Sequence, residues 1–512
     1  MKIQIMKFQL SILFLLALPI FGSAQTNKIP PKPIQGSEVL DNFMAQARTL
    51  EPEFSTDILL RLISGGRITS ASEKKKLLEE MFYTSSMARE DVPAKVTSYE
   101  GQVVTFRPTF RSYAFEQKLD ALSLQVRIVS EMLKVDRYRA LELFYQISPN
   151  LALKPLTCDD HMVYDLADFY GLVGKIAAES FSEDKILQNE RAVFLGRYIA
   201  GMVSPAQISP IVKLLPSLHL TDDEALYVIG LFNKSLRKID GDDRSFFFET
   251  RSGPTINGFY SLARKFAGSA ALHNELLASY REYLTRNSSG IRCGDNVNWD
   301  NRQYEELSVG KPETEAKLPY YVYDANRYYF SGNPISPDEI KPSKIIQVSL
   351  PKEYFNNGPS REALRKIRKL QHWKEDDIRA SEAITSVKWD EAFSAALNAI
   401  ISLDESHDDE EIDVFHQKCL LLTLLLREAP NISLKGNVVN EYLKILNNSR
   451  ILREFPTEWF IQFHFLSIGV REIKAKDFQE KLFEIIDTAN NPVIRAYRDL
   501  DKLLKKNDSA TK

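Results

Sequence analysis

The sequence predicts an all-α protein, and three observations carry that reading. Apolar residues recur at steps of three and four along most of the chain, helix starts bear capping signatures, and sustained period-two alternation is scarce. Serial helical pairs joined by short turns expose apolar faces that only neighbouring pairs can cover. The expected architecture is therefore an irregular α-solenoid-like or multi-helix array of helical hairpins, with one long Tyr/Pro/Asn-rich insertion. No fixed repeat period emerges, and the Trp, Leu-Gly and Tyr offsets of tetratricopeptide repeats are absent.

In chain order, residues 1–24 read as a signal peptide. Lys2 and Lys7 form a basic start, Leu10 to Phe21 an apolar run broken by Ser11 and Pro19, and Gly22-Ser23-Ala24 a cleavage site. The apolar run is short of the ~20 residues of a spanning helix. The expected location is periplasmic or extracellular after cleavage near Ala24, with no transmembrane anchor in the mature chain. Residues 25–36 carry Pro30, Pro31 and Pro33 and read as an extended leader.

An N-terminal helical region follows over 37–293. Phe54–Ile63 pairs with Glu73–Met87, and Leu119, Leu122, Val126, Val129 and Leu133 define a helix that Leu124 and Ile128 widen into one covered on several sides. A turn at Asp136 leads to a second helix through Phe144, and the same grammar recurs at 163–178, 189–202 and 224–236. Ser70 with Glu73, Thr221 with Glu224 and Ser336 with Glu339 have capping-box spacing. Gln102–Phe106 and Ile345–Leu350 are short strand candidates. Residues 294–359 form the insertion, 360–504 a C-terminal helical region, and 505–512 a polar tail. The run Cys419–Leu426 suits a buried helix segment.

Composition narrows the partners. The net charge is −3, or −5 once Lys2 and Lys7 leave with the leader, and basic residues form no block, so nucleic acid is not expected. Three cysteines leave two arrangements open: a Cys158–Cys293 disulfide with Cys419 buried and reduced, or three free thiols.

Most chemical motifs fail on inspection. Gly171-Leu172-Val173-Gly174-Lys175 has Phe169 and Ile176 where a phosphate loop needs Gly and a hydroxyl, and small residues easing helix packing account for it. Ser72-Glu73-Lys74-Lys75 matches Ser-x-x-Lys without its companion motifs. Cys158-Asp159-Asp160-His161 and the acids between Asp404 and Asp413 lack metal-ligand geometry in their spacing, so no metal and no cofactor is expected. Two candidates remain. Asp242, Asp243 and Arg244, followed by Phe246-Phe247-Phe248, could perform acid/base work beside an apolar wall, or could form a turn with an internal ion pair. Tyr320, Tyr321, Tyr323, Tyr328 and Tyr329 offer flat surface with hydroxyl handles for a glycan or peptide, or could anchor the insertion to the helices.

The leader, the Pro-rich segment, Asp120-Ala121-Leu122-Ser123-Leu124-Gln125 through Phe144, Cys158 with Tyr164-Asp165, Gly241-Asp242-Asp243-Arg244-Ser245-Phe246 and Phe415-His416-Gln417-Lys418-Cys419 together resemble exported helical proteins of bacteria. That resemblance implies the fold class and brings no activity, cofactor or site residue. The functional expectation is a non-enzymatic exported scaffold that binds another exported protein or a peptide. The alternative is an exported hydrolase or lyase acting on a cell-wall or plant polymer through Asp242, Asp243 and Arg244.

Overall fold

A computed structural model describes residues 38–89, 97–99, 102–105, 115, 117–147, 155–157, 160, 162–239, 243–246, 253–287, 321–324, 327–330, 333–334, 358–379, 386–404 and 411–505. The fold is all-α. The first helices are α1 (Glu38–Ala47), α2 (Pro52–Ser64), α3 (Ala71–Ser85), α4 (Ala121–Leu133), α5 (Arg137–Gln146), α6 (Leu166–Glu179), α7 (Glu183–Leu187), α8 (Glu190–Ala200), α9 (Ile208–Ser217), α10 (Asp222–Leu236), α11 (Gly253–Lys265) and α12 (Ala270–Asn287). Then come α13 (Gly358–Arg379), α14 (Ser386–Ile401), α15 (Glu411–Glu428), α16 (Ile432–Leu446), α17 (Ser449–Glu454), α18 (Pro456–Arg471), α19 (Lys476–Asp487) and α20 (Pro492–Lys505). Among the described residues no helix is long and apolar enough to cross a membrane.

The local chemistry explains where helices begin. Thr221 makes the reciprocal capping box with Glu224, whereas Ser70 accepts the Glu73 amide without the return bond. The Ser336 box lies outside the described residues. Asp136 caps α5 through the Tyr138 and Arg139 amides, at 3.1 and 3.0 Å, which makes the expected turn between α4 and α5. In α4, Leu122, Leu124, Val126, Ile128 and Val129 are all buried, so the widened apolar stripe is covered on several sides.

Helices pack both with their neighbours in sequence and with the next but one. α2, α4, α6, α8, α10 and α12 form one file, each touching the next, while α9 and α11 pack together beside it. This is how hairpins with apolar faces cover one another.

The C-terminal helices attach to the N-terminal end of that file. α20 lies against α1 and α2, and Phe54 of α2 meets the rings of Trp459, Phe460 and Tyr497 at 5.9, 5.5 and 6.4 Å. Gly65, just past α2, stands where an added Cβ would come within 2.5 Å of Leu504. One continuous cluster of buried apolar side chains includes residues of both helical regions. Cys419, Leu421, Leu422, Leu425 and Leu426 are buried within α15, so this run is a core helix segment.

The connections hold short strands, one of them on the candidate Gln102–Phe106. β1 (Thr97–Tyr99) pairs antiparallel with β2 (Gln102–Thr105). Inside the insertion, β3 (Tyr321–Asp324), β4 (Arg327–Phe330) and β5 (Asn333–Pro334) form an antiparallel meander, with Asp324 opposite Arg327. Tyr, Val and Phe favour a pleated backbone, which is why this aromatic stretch pairs with itself. Ile345–Leu350 lies outside the described residues.

Close helix approach is confined to particular glycines. Gly174 meets Leu214 across the α6–α9 contact, whereas Gly171 faces open space, so small-residue packing explains the second glycine of that motif and not the first. At Gly258 an added Cβ would fall 2.5 Å from Val212 Cγ2 and 3.2 Å from its Cβ, and a β-branched side chain has little freedom to yield. Gly258→Ala is therefore expected to destabilise the protein in urea denaturation, because overpacking costs about 1–3 kcal/mol and outweighs the gain in helix propensity. Gly171→Ala should change it in the opposite direction, by about 1 kcal/mol.

Candidate functional site

The candidate acids of the sequence occupy a joint between segments. Asp243 is buried; one carboxylate oxygen accepts the Ser245 amide at 2.7 Å and hydroxyl at 2.6 Å, and the other accepts the Leu156 amide at 3.1 Å. Burial pushes its carboxyl above the ordinary value, against these hydrogen bonds. Arg244 is also buried: its amide donates to the Leu156 carbonyl at 2.8 Å and its guanidinium to the Asp160 carbonyl at 2.7 Å. Together they tie Leu156 and Asp160 to Asp243 and Arg244. Asp242 lies outside the described residues, so its position relative to Asp243 is not part of this geometry.

The other expectations are placed as follows. Tyr321, Tyr323, Tyr328 and Tyr329 sit on β3 and β4, Tyr321 opposite Phe330 and Tyr323 opposite Tyr328; Tyr320 lies outside the described residues. Cys158 and Cys293 also lie outside them, while Cys419 is a buried free thiol whose pKa burial pushes well upward. Among the described residues no cluster of three metal-ligating side chains occurs.

Two buried carboxylates were not singled out in the sequence. Asp57 of α2 is fully buried, and accepts Arg127 Nη2 at 2.6 Å and Tyr497 Oη at 2.8 Å while pairing with Arg61 Nε at 2.8 Å. Burial alone would raise its pKa, but the guanidiniums of Arg61 and Arg127 and the Tyr497 hydroxyl outweigh it and hold the carboxyl below the ordinary value. Asp120 caps α4 through the Ser123 amide at 2.8 Å, yet its second oxygen, Oδ2, is buried with no hydrogen-bond partner. Burial pushes this carboxyl up to about 6, in spite of its bonds to Ser123.

The surface feature with binding chemistry lies on α5, α8 and α10. Ala140, Leu143 and Phe144 turn the inner face of α5 into the core, so Tyr138 and Tyr145, seven residues apart, share its outer face. They are 54% and 42% exposed. Tyr145 meets Phe194 of α8 edge-on at 5.9 Å, and Arg197, one turn beyond exposed Val193, lies 5.8 Å over the Tyr145 ring. On the other side of α8, Gly196 lets the Tyr227 ring of α10 come so close that an added Cβ would sit 2.8 Å from Cε1. Tyr227 is 47% exposed beside Leu226 at 60%. Three neighbouring elements thus present exposed tyrosines, aliphatic side chains and an arginine, of which tyrosine and arginine are enriched in binding hot spots. The spacing of Tyr138 and Tyr145 was a usable signal, since both fall opposite the apolar stripe of their helix.

Comparison with known proteins yields no match: no family model, no curated protein and no solved structure resembles the chain.

The two buried acids give opposite pH signatures. Because the folded state holds Asp57 below the unfolded carboxylate value of about 4, its stabilisation is present above that pH and is lost as pH falls. Asp57→Asn should cost about 3 kcal/mol at pH 7 and much less at pH 3. Asp120 favours its protonated form in the folded state, so its contribution is present below about pH 4 and lost as pH rises through 6. Asp120→Asn keeps a capping oxygen and removes the buried charge. It should raise stability by about 1–2 kcal/mol at pH 8 and leave it unchanged at pH 4, as measured by urea denaturation across pH.

Proposed function

We propose that this protein is an exported helical scaffold that binds another protein or a peptide through the face formed by α5, α8 and α10. The observation that carries the reading is the grouping of exposed Tyr145, Val193, Arg197 and Tyr227 on adjacent helices packed on a rigid core. Tyrosine supplies large contact area with few rotors to immobilise, and arginine adds directional donors. A file of helices holds such side chains at fixed separations, which lowers the ordering cost of binding. The leader of residues 1–24 supports the export part of the proposal.

A photo-crosslinking amino acid in place of Tyr145 or Tyr227 is expected to trap one partner from the exported fraction. The same group in place of exposed Lys476 should trap none. With that partner in hand, Tyr145→Ala and Tyr227→Ala should each weaken binding about thirtyfold, the loss of roughly 2 kcal/mol typical of a hot spot. Crosslinking equal at Lys476, or binding lost on deletion of 318–330 and kept in both tyrosine variants, would move the site away from this face.

A further inference from the structure

The occupant of the face can be specified further, resting on the reading above. Two guanidiniums on it are seated on aromatic rings instead of acids. Arg137 lies 5.0 Å from the Tyr138 ring centroid and donates to the Tyr138 hydroxyl at 3.2 Å. Arg197 lies 5.8 Å from the Tyr145 centroid and 5.9 Å from that of Tyr198. Both are exposed, and among the described residues neither meets a carboxylate.

The nearby acids are engaged elsewhere. Glu142, between the two tyrosines, pairs with Arg139 at 2.7 Å, and Arg139 also holds Glu79 at 2.7 Å. Glu190 of α8 faces Lys185 at 3.5 Å. The face therefore offers two cations without a carboxylate partner among the described residues; Arg137 spends one donor on the Tyr138 hydroxyl and keeps its others. A guanidinium held near a ring by cation–π attraction spends no N–H group on that contact, and its remaining N–H groups match a carboxylate as a two-pronged donor.

Spacing sets the form of the ligand. The seven-residue step sets the backbone positions of Tyr138 and Tyr145 about 10 Å apart along α5. A polyproline-II peptide brings residues i and i+3 to the same side with a separation of about 9 Å. β-Strand side chains on one face repeat at about 7 Å and fit this distance less well. We propose that the α5–α8–α10 face binds an extended acidic peptide, with carboxylates three residues apart meeting Arg137 and Arg197 while its intervening residues lie on Tyr138 and Tyr145.

The test uses the full mature chain and three fluorescein-labelled probes: three repeats of Glu-Pro-Pro, of Gln-Pro-Pro and of Lys-Pro-Pro. Fluorescence anisotropy should show the Glu peptide binding at least tenfold more tightly than the Gln peptide, with affinity falling as salt rises, and the Lys peptide not binding. Joint replacement Arg137→Gln and Arg197→Gln should weaken the Glu peptide at least tenfold with the melting temperature unchanged, and Arg197→Lys should recover part of the loss. Equal binding of Glu and Gln peptides, or an unaffected double variant, overturns the inference. If no probe binds while crosslinking persists at Tyr145, the acidic-peptide assignment falls and the scaffold reading stands. If crosslinking also fails, both fall.

Discussion

Asp57 imposes the constraint around which both halves of this protein are arranged. A carboxylate removed from water is costly by several kcal/mol unless donors surround it, and here the donors come from three helices: Arg61 from its own, Arg127 from α4 and Tyr497 from α20. Any movement of α20 away from α2 would leave the charge short of a partner. The apolar contacts of Phe54 with Trp459, Phe460 and Tyr497 are less selective, because hydrophobic burial has no direction. Burial of the rings supplies the attraction, and Asp57 selects one register among the packings that would satisfy it.

A related requirement governs the ends of the helices. The last carbonyls of a helix lack intrahelical partners, and in a tight array many of them cannot reach water. This chain repeatedly answers with a side chain from another helix. Lys265 reaches the carbonyls of Leu215, Pro216 and Leu218 at the end of α9, Arg286 those of Leu236, Arg237 and Ile239 at the end of α10, and Lys435 that of Leu426 in α15. Trp459 and Asn491 converge on the Leu446 carbonyl at the end of α16. Cations also complement the negative end of the helix dipole. These staples fix how far each helix can slide along its neighbour, so the outward side chains inherit fixed separations.

The fold class was readable because it depends on local chemistry: steps of three and four, caps such as Thr221 and Asp136, and turns of a few residues. The helix over Phe54–Ile63 was legible for the same reason. The role of Asp57 within it was not, since its partners Arg127 and Tyr497 lie 70 and 440 residues away in sequence. A charge inside an apolar run is a visible anomaly, but nothing in the string identifies what will neutralise it. Asp243 illustrates the converse. Its acidic, arginine-flanked neighbourhood suggested chemistry, and the structure gives its oxygens to Ser245 and Leu156, a pairing across 87 residues that spacing could not reveal. The tyrosine meander was missed as secondary structure because its strands are shorter than the window over which alternation becomes persuasive.

The contrast between inside and outside bears on where function can reside. Inside, the polar groups of Asp57, Asp243, Gln207 and Glu224 are bound to other parts of the same chain, and these bonds hold separate segments in register. Outside, Arg137 and Arg197 lie against tyrosine rings and are exposed, with no carboxylate partner among the described residues. An arginine side chain carries roughly 2 kcal/mol of rotamer entropy. The part already surrendered to the ring would not be lost again on binding the proposed peptide. The rigid file of helices fixes the positions, the rings orient the charges, and the energetic gain from ordering the core is thereby expressed on the surface.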